Sequence, residues 1–129
     1  MAITPVKDLV AAAKAEITVL PVETAMGLLG DEDVMFIDIR DIRELDRDGR
    51  IPGAVHMPRG MLEFWFDPAS PYHKPVLAND KKKVLFCASA WRSALSVKAL
   101  QDMGVEQLCD MEGGFKGWKA AGGPVETKG

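Results

Sequence analysis

Cysteine and histidine are scarce in this chain, which holds two of each in 129 residues. Cys87 and Cys109 are too few for the stapled framework of a small secreted domain. The histidines, His56 and His73, form no His-x-x-x-His pair, and no Cys-x-x-Cys occurs, so the spacing of a metal site is missing. Long apolar runs are missing too. None approaches the roughly 18 residues that span a bilayer, and no charged-then-apolar leader is visible, so no membrane partner is expected and the cytoplasm is the default location. Positive charge is not in excess. A net charge of −3 argues against a nucleic-acid partner, and any attraction for anions has to be local. No internal repeat or low-complexity stretch is present. What remains is 47% hydrophobic and 27% charged residues, the balance of a folded chain, at a length that suits one domain.

Patterns of apolar residues alternate between strand-like and helix-like. Val6, Leu9, Val10 and Ala13 have helical spacing after Thr4-Pro5, which predicts a short amphipathic helix over 5–15. Ile17 to Leu20 reads as a strand, and Pro21 to Gly30 as a helix. Val34 to Ile39 is a β-branched, apolar run of the kind buried on both faces of a parallel sheet. Helix-like residues reach Asp48, and Pro52-Gly53 makes 49–58 an ordered turn. Residues 60–66 suit one or two helical turns, and 67–80, with three prolines, a surface loop. Val84 to Phe86 is the next strand. Arg92 to Met103 is the strongest helix, with Leu95, Ala99, Leu100 and Met103 on one face and Gly104 as its stop. A strand over 105–109 and a helix over 115–121 complete the series. The alternation predicts an α/β fold, a mainly parallel sheet flanked by helices on both faces, with ligands beyond the carboxyl ends of the strands.

Cys87 stands at such an end, between Lys83-Val84-Leu85-Phe86 and the loop Ala88-Ser89-Ala90-Trp91-Arg92-Ser93 that opens the strongest helix. The first turn of a helix leaves backbone N–H groups without intrahelical partners, and the helix dipole adds partial positive charge. A thiol placed there is expected to ionise below the free value of roughly 8.5 and to act as a nucleophile.

Cys-x-x-x-x-Arg-Ser also resembles the active-site loop of the rhodanese-like sulfurtransferases. Phe36-Ile37-Asp38-Ile39-Arg40 with Glu44, followed by Gly49-Arg50-Ile51-Pro52-Gly53-Ala54, is similar to the family's first signature. Met111-Glu112-Gly113-Gly114-Phe115-Lys116-Gly117-Trp118 is similar to its closing segment. The resemblance implies a single rhodanese-like domain over 17–125, with 1–16 as a helical extension and 126–129 as a tail. It implies a loop, Ala88 to Arg92, that curls so its amides face the sulfur as an anion nest. The implied reaction takes a sulfane sulfur from a small anion such as thiosulfate, or from a protein persulfide, onto Cys87. The sulfur then passes to a thiol or cyanide. Because the protein carries the intermediate, no cofactor is called for.

The remaining candidates each have two readings. Arg92 is the anion partner of the nest or a structural cation paired at the loop base. Ser93 fits the first helical turn, its hydroxyl meeting a free N–H. Trp91 walls the sulfur or is an exposed aromatic. Asp38 and Arg40 fall on one side of a strand, where a structural ion pair is expected ahead of substrate contact. Arg50 replaces the family's usual histidine and contacts an anion only if it faces the pocket. Ala90 replaces a usual glycine, so a positive φ there would cost about 1 kcal/mol or more. Cys109 is expected to be a small buried hydrophobe, a resolving thiol being the lesser alternative. His56 reads as packed and hydrogen-bonded, and the Gly113 to Trp118 segment as support for the fold. Two rival functions are a rhodanese-fold binding or regulatory module, and a cysteine phosphatase or arsenate reductase. The second uses Cys-x-x-x-x-x-Arg, one residue longer than this loop.

Overall fold

The structure is a computed structural model and describes residues 2–127. Five strands, Val19–Leu20 (β1), Val34–Asp38 (β2), Val55–His56 (β3), Lys82–Phe86 (β4) and Leu108–Met111 (β5), form one sheet in the order β1-β5-β4-β2-β3. Every pairing is parallel. Among the described residues six α-helices accompany them: Val6–Lys14 (α1), Val22–Leu28 (α2), Ile42–Asp48 (α3), Leu62–Phe66 (α4), Arg92–Asp102 (α5) and Gly114–Ala120 (α6).

Alternating strand residues feed two cores. Phe36, Val84, Phe86, Cys109 and Met111 pack on one face with Ala25 of α2 and Phe115 and Trp118 of α6. Ile37, Leu85 and Cys87 pack on the other with Leu62 and Phe66 of α4 and Val97 and Leu100 of α5. Double-sided burial explains the continuous apolar runs of β2 and β4. It also separates Cys87 from Cys109, which lie in different cores on opposite faces of the sheet.

Several elements differ from the sequence expectation. β3 lies inside the stretch read as a turn, because two residues beyond Pro52-Gly53 reach the edge of β2 at Ile37 and Asp38. β5 starts three residues later than expected, after Gln107 adopts φ 61°. Leu77 is buried, so the 67–80 loop plugs the α5-side core rather than lying wholly on the surface. On α1, Val10 and Ala13 are buried while Val6 and Leu9 are half exposed. The buried face of α5 is Ser93, Ala94, Ser96, Val97 and Leu100; of the predicted face only Leu100 is buried, Leu95 and Ala99 are intermediate, and Met103 is exposed. Serines can enter that core because each hydroxyl has a partner: Ser96 donates to the Arg92 carbonyl at 2.7 Å and Ser93 to Asp110. At the carboxyl end of the chain, Arg50 and Glu126 exchange backbone hydrogen bonds of 2.9 and 2.8 Å. Residues 128–129 of the expected tail lie outside the described residues.

Strand order places a switch point between β2 and β4. The chain leaves β2 toward β3 on one side and leaves β4 toward β5 on the other. Loops 39–41 and 87–91 therefore diverge at the carboxyl edge, the place where open α/β sheets bind ligands.

Candidate active site

Cys87 follows β4 directly, and its sulfur takes the place of a helix cap. Trp91, at the N-cap of α5, provides no side-chain cap, and the Ser93 N–H donates to Cys87 Sγ at 3.4 Å instead. The amides of residues 88–92 hydrogen-bond to nothing among the described residues. Five consecutive open donors at the start of an eleven-residue helix make a region that favours negative charge. Of the loop and first-turn amides, only that of Ser93 reaches the sulfur; the expected convergence of several on it is not what the fold presents.

The loop holds this shape from two sides. Ala90 is buried with φ 66°, the left-handed conformation that its glycine-like place in the loop demands. Beneath it, the start of α6 clamps the loop: Phe115 N–H donates to the Cys87 carbonyl at 2.7 Å and Lys116 N–H to the Ala88 carbonyl at 3.0 Å. Gly114 makes this approach possible. With φ +60°, a Cβ there would stand 2.6 Å from the Cys87 carbonyl oxygen and 2.8 Å from the Ala88 carbonyl carbon. The Gly-Gly turn thus shapes the cysteine loop as well as the fold. Gly114→Ala is expected to cost about 2–4 kcal/mol of stability and to displace the loop. Chemical unfolding checks the first effect, and a loss below about 0.5 kcal/mol would contradict the close approach.

Arg92 reaches across to α3. Its Nη1 and Nη2 donate to Glu44 Oε2 and Oε1 at 2.8 and 2.9 Å, and the guanidinium also interacts with Cys87. The hydrogen bonds from Arg92 hold the Glu44 carboxyl below the usual carboxylate range, and Glu44 in turn raises Arg92. Glu44 also secures the start of its own helix. Its Oε2 accepts the Asp41 N–H at 2.9 Å, completing a capping box with the Asp41 side chain, which accepts the Arg43 N–H. Two of the five guanidinium N–H groups are spent on Glu44. Arg92 is half exposed and Trp91 is 47% exposed at the loop tip.

Ser93 is not the cap its sequence position suggested. Its hydroxyl donates to Asp110 Oδ1 of β5 at 2.5 Å and accepts the Cys87 thiol at 3.5 Å. Burial pushes the Asp110 carboxyl up to about 6, with the Ser93 hydrogen bond opposing the shift. Asp110 Oδ2 has no hydrogen-bond partner among the described residues.

Asp38 and Arg40 pair with each other. Arg40 Nη2 donates to Asp38 Oδ2 at 2.7 Å and Nε to Oδ1 at 3.0 Å, with both residues 1% exposed. Arg40 Nη2 also donates to the Gly49 carbonyl at 2.9 Å, and its guanidinium covers the Phe115 ring at 4.1 Å. His56 Nε2 donates to the Arg40 carbonyl at 2.6 Å. These contacts fix the β2–α3 loop. Arg50 turns outward to Asp46 at 4.0 Å, and no contact among the described residues joins it to the cysteine loop. Cys109 is buried, its thiol pushed up to about 11 by desolvation, and the sheet stands between it and Cys87.

Residues 22–121 match the rhodanese-like domain. The chain belongs to the rhodanese-like family. A protein of unknown function from Rhodopseudomonas palustris, described as a possible tyrosine phosphatase, is 47% identical, with TM-score 0.93 over 98% of this chain and 97% of that one. The polysulfide-sulfur transferase homodimer of Wolinella succinogenes is 34% identical, with TM-score 0.71 over 95% of this chain and 87% of that one. An uncharacterized Synechocystis protein is 32% identical over 89% of this chain, which spans 59% of that relative's length. Sulfurtransferases are thus among the relatives of this rhodanese-like domain. The structure brings Cys87, Arg92 and Ser93 together at the start of α5, and it pairs Arg92 with Glu44, Ser93 with Asp110, and the loop with Gly114, partners the sequence does not single out. The Asp-x-x-Glu spacing from Asp41 to Glu44 was the one available signal.

Proposed function

We propose that Cys87 carries a sulfane sulfur as a persulfide between a small sulfur-containing anion, such as thiosulfate, or a protein persulfide, and a thiol or cyanide. The carrying observation is the sulfur's position: it accepts the first-turn amide of α5, and the loop amides of residues 88–92 have no hydrogen-bond partner among the described residues. In the first half-reaction the Cys87 thiolate attacks the outer sulfur of thiosulfate, the S–S bond of the donor breaks, and sulfite leaves with the electron pair. In the second, the acceptor attacks the outer sulfur of the persulfide and the thiolate returns.

Burial constrains this chemistry. Cys87 is 1% exposed, so a donor has to present its reacting atom end-on. A disulfide-type bond of about 2 Å then carries the transferred sulfur outward from Sγ toward the open amides. Fixed donors stabilise the persulfide anion without reorganising, which is electrostatic preorganisation rather than acid-base catalysis at the substrate. The three guanidinium N–H groups of Arg92 not given to Glu44 serve the donor's negative charge. The cytoplasm, where thiols stay reduced, suits a chain whose two cysteines are free.

Steady-state rates with thiosulfate and cyanide test the double displacement: parallel reciprocal plots are expected, and intersecting plots would overturn the covalent carrier. Arg92→Ala is expected to raise the thiosulfate KM about tenfold or more. Its effect on unfolding should stay within about 1 kcal/mol, because the Glu44 pair is partly exposed. Unchanged KM and kcat would remove Arg92 from the site. The descriptions of two relatives favour phosphoryl chemistry: the Rhodopseudomonas protein, and the dual specificity phosphatase Cdc25 of Arabidopsis thaliana, 31% identical over 72% of this chain and 66% of that relative. Against it, Arg92 follows Cys87 by five positions, one short of the phosphatase loop. Aryl phosphate hydrolysis without thiosulfate turnover would reverse the order of the two readings.

A further inference from the structure

Behind the reactive sulfur, three buried side chains stand in line: Cys87 donates its thiol hydrogen to Ser93 Oγ, and Ser93 donates its own to Asp110 Oδ1. All three are 1% exposed or less. The direction of the hydrogens matters. While Asp110 is ionised it holds the Ser93 hydrogen, so Ser93 accepts from Cys87 and the path for a proton runs from the sulfur to the carboxylate. Once Asp110 carries a proton, the Ser93 hydroxyl is supplied from behind and its hydrogen can turn to the sulfur.

We propose that Asp110, acting through the Ser93 hydroxyl, receives the proton that Cys87 gives up, so that the three residues form an internal proton relay. The transfer balances within the site. The S–H bond of Cys87 breaks and its electron pair stays on sulfur, its proton passes to Ser93 Oγ, and the original Ser93 proton passes to Asp110 Oδ1. Asp110 does not touch substrate and is a positioning residue for the thiolate.

Three further observations support the relay. Asp110 is an unusually receptive carboxylate, because its Oδ2 is buried without a hydrogen-bond partner among the described residues and an ionised form so placed is poorly solvated. Burial raises its proton affinity to about 6, toward the range of a thiol. Its surroundings also offer little competing charge. Val19 of β1 and Leu85 of β4 flank it in the sheet, Cys109 and Met111 adjoin it on β5, and Ser93 faces it from α5. Lys14 of α1 is the cation acting on it, and it opposes the upward shift.

The inference rests on Cys87 being the reactive thiol, and its test does not depend on sulfur transfer. Ultraviolet thiolate absorbance is followed with pH, taken as the difference between the wild-type protein and Cys87→Ser so that Cys109 cancels. Coupled groups lose protons in two macroscopic steps. The expected titration therefore has a first rise centred near the Asp110 value of about 6, then a plateau, then the main rise. Asp110→Asn, nearly identical in shape, is expected to lose the first rise and with it the thiolate present between that rise and the main one. Ser93→Ala removes the intermediary and leaves the Asp110 carboxyl in place, and it should give the same single rise; it decides the matter if Asp110→Asn does not fold. A single rise in the wild-type protein overturns the relay. So does an increase of thiolate in Asp110→Asn, the result for a carboxylate that merely repels the sulfur anion. A two-step titration in a protein that takes sulfur from no donor would uphold the relay and reject sulfur transfer. Sulfur uptake with a single-step titration would do the reverse.

Discussion

Replacing Arg40 with alanine is expected to remove about 3–5 kcal/mol of folding stability, a large fraction of what a domain of this size holds. The substitution leaves the Asp38 carboxylate 1% exposed with only the backbone N–H of residue 40 as a donor, and a buried ion without its partner bears the full desolvation penalty. It also strips the Gly49 carbonyl of its hydrogen bond and uncovers the Phe115 ring. Arg40→Lys should recover only part of the loss, since an ammonium cannot span both carboxylate oxygens as a planar fork does. Urea unfolding measures all three proteins. A loss below about 1 kcal/mol for Arg40→Ala would mean that the pair is solvated rather than buried. The consequence reaches the site along the chain. Arg40 anchors the residue before Asp41, Asp41 and Glu44 cap α3, and Glu44 grips Arg92, so slack at the ion pair is expected to loosen the far wall of the cysteine loop.

Cys87→Ser is expected to lower sulfur transfer by at least about 10³-fold while leaving the fold within about 1 kcal/mol of the wild-type protein. A serine hydroxyl ionises far too weakly to attack a sulfane sulfur at neutral pH, yet it fits the hydrogen-bonding place of the thiol between the Ser93 amide and hydroxyl. Thiocyanate formation and thermal unfolding give the two readouts. Retained transfer would mean that another residue carries sulfur. Cys109 is a poor substitute, because it lies in the opposite core with its thiol pushed up to about 11.

The parts of this molecule that were legible in its sequence are those written in local chemistry. A continuous apolar run means burial on both faces, which identified β2 and β4, and a thiol between such a strand and a helix could only lie at the carboxyl edge of the sheet. Asp38 and Arg40 share a strand side by simple alternation. Long-range partners left no comparable trace. An aspartate in Leu108-Cys109-Asp110-Met111 reads as an interruption of a strand until Ser93, seventeen positions away, is seen beneath it. The same hidden pairing misdirected the reading of α5, where apolar spacing favoured Leu95 and Met103 while two hydrogen-bonded serines occupied the core. β3 was missed because two residues are too few to show a period, and Gly114 because its constraint comes from the Cys87 carbonyl on a different loop.

The central claim is that Cys87 holds sulfur covalently, and intact-mass and peptide mass spectrometry after exposure to thiosulfate tests it most directly. The account predicts one added sulfur atom, located on Cys87, absent in Cys87→Ser and removed by cyanide with release of thiocyanate. A protein that gains no sulfur from thiosulfate or from a protein persulfide, or gains it at a residue other than Cys87, would contradict it.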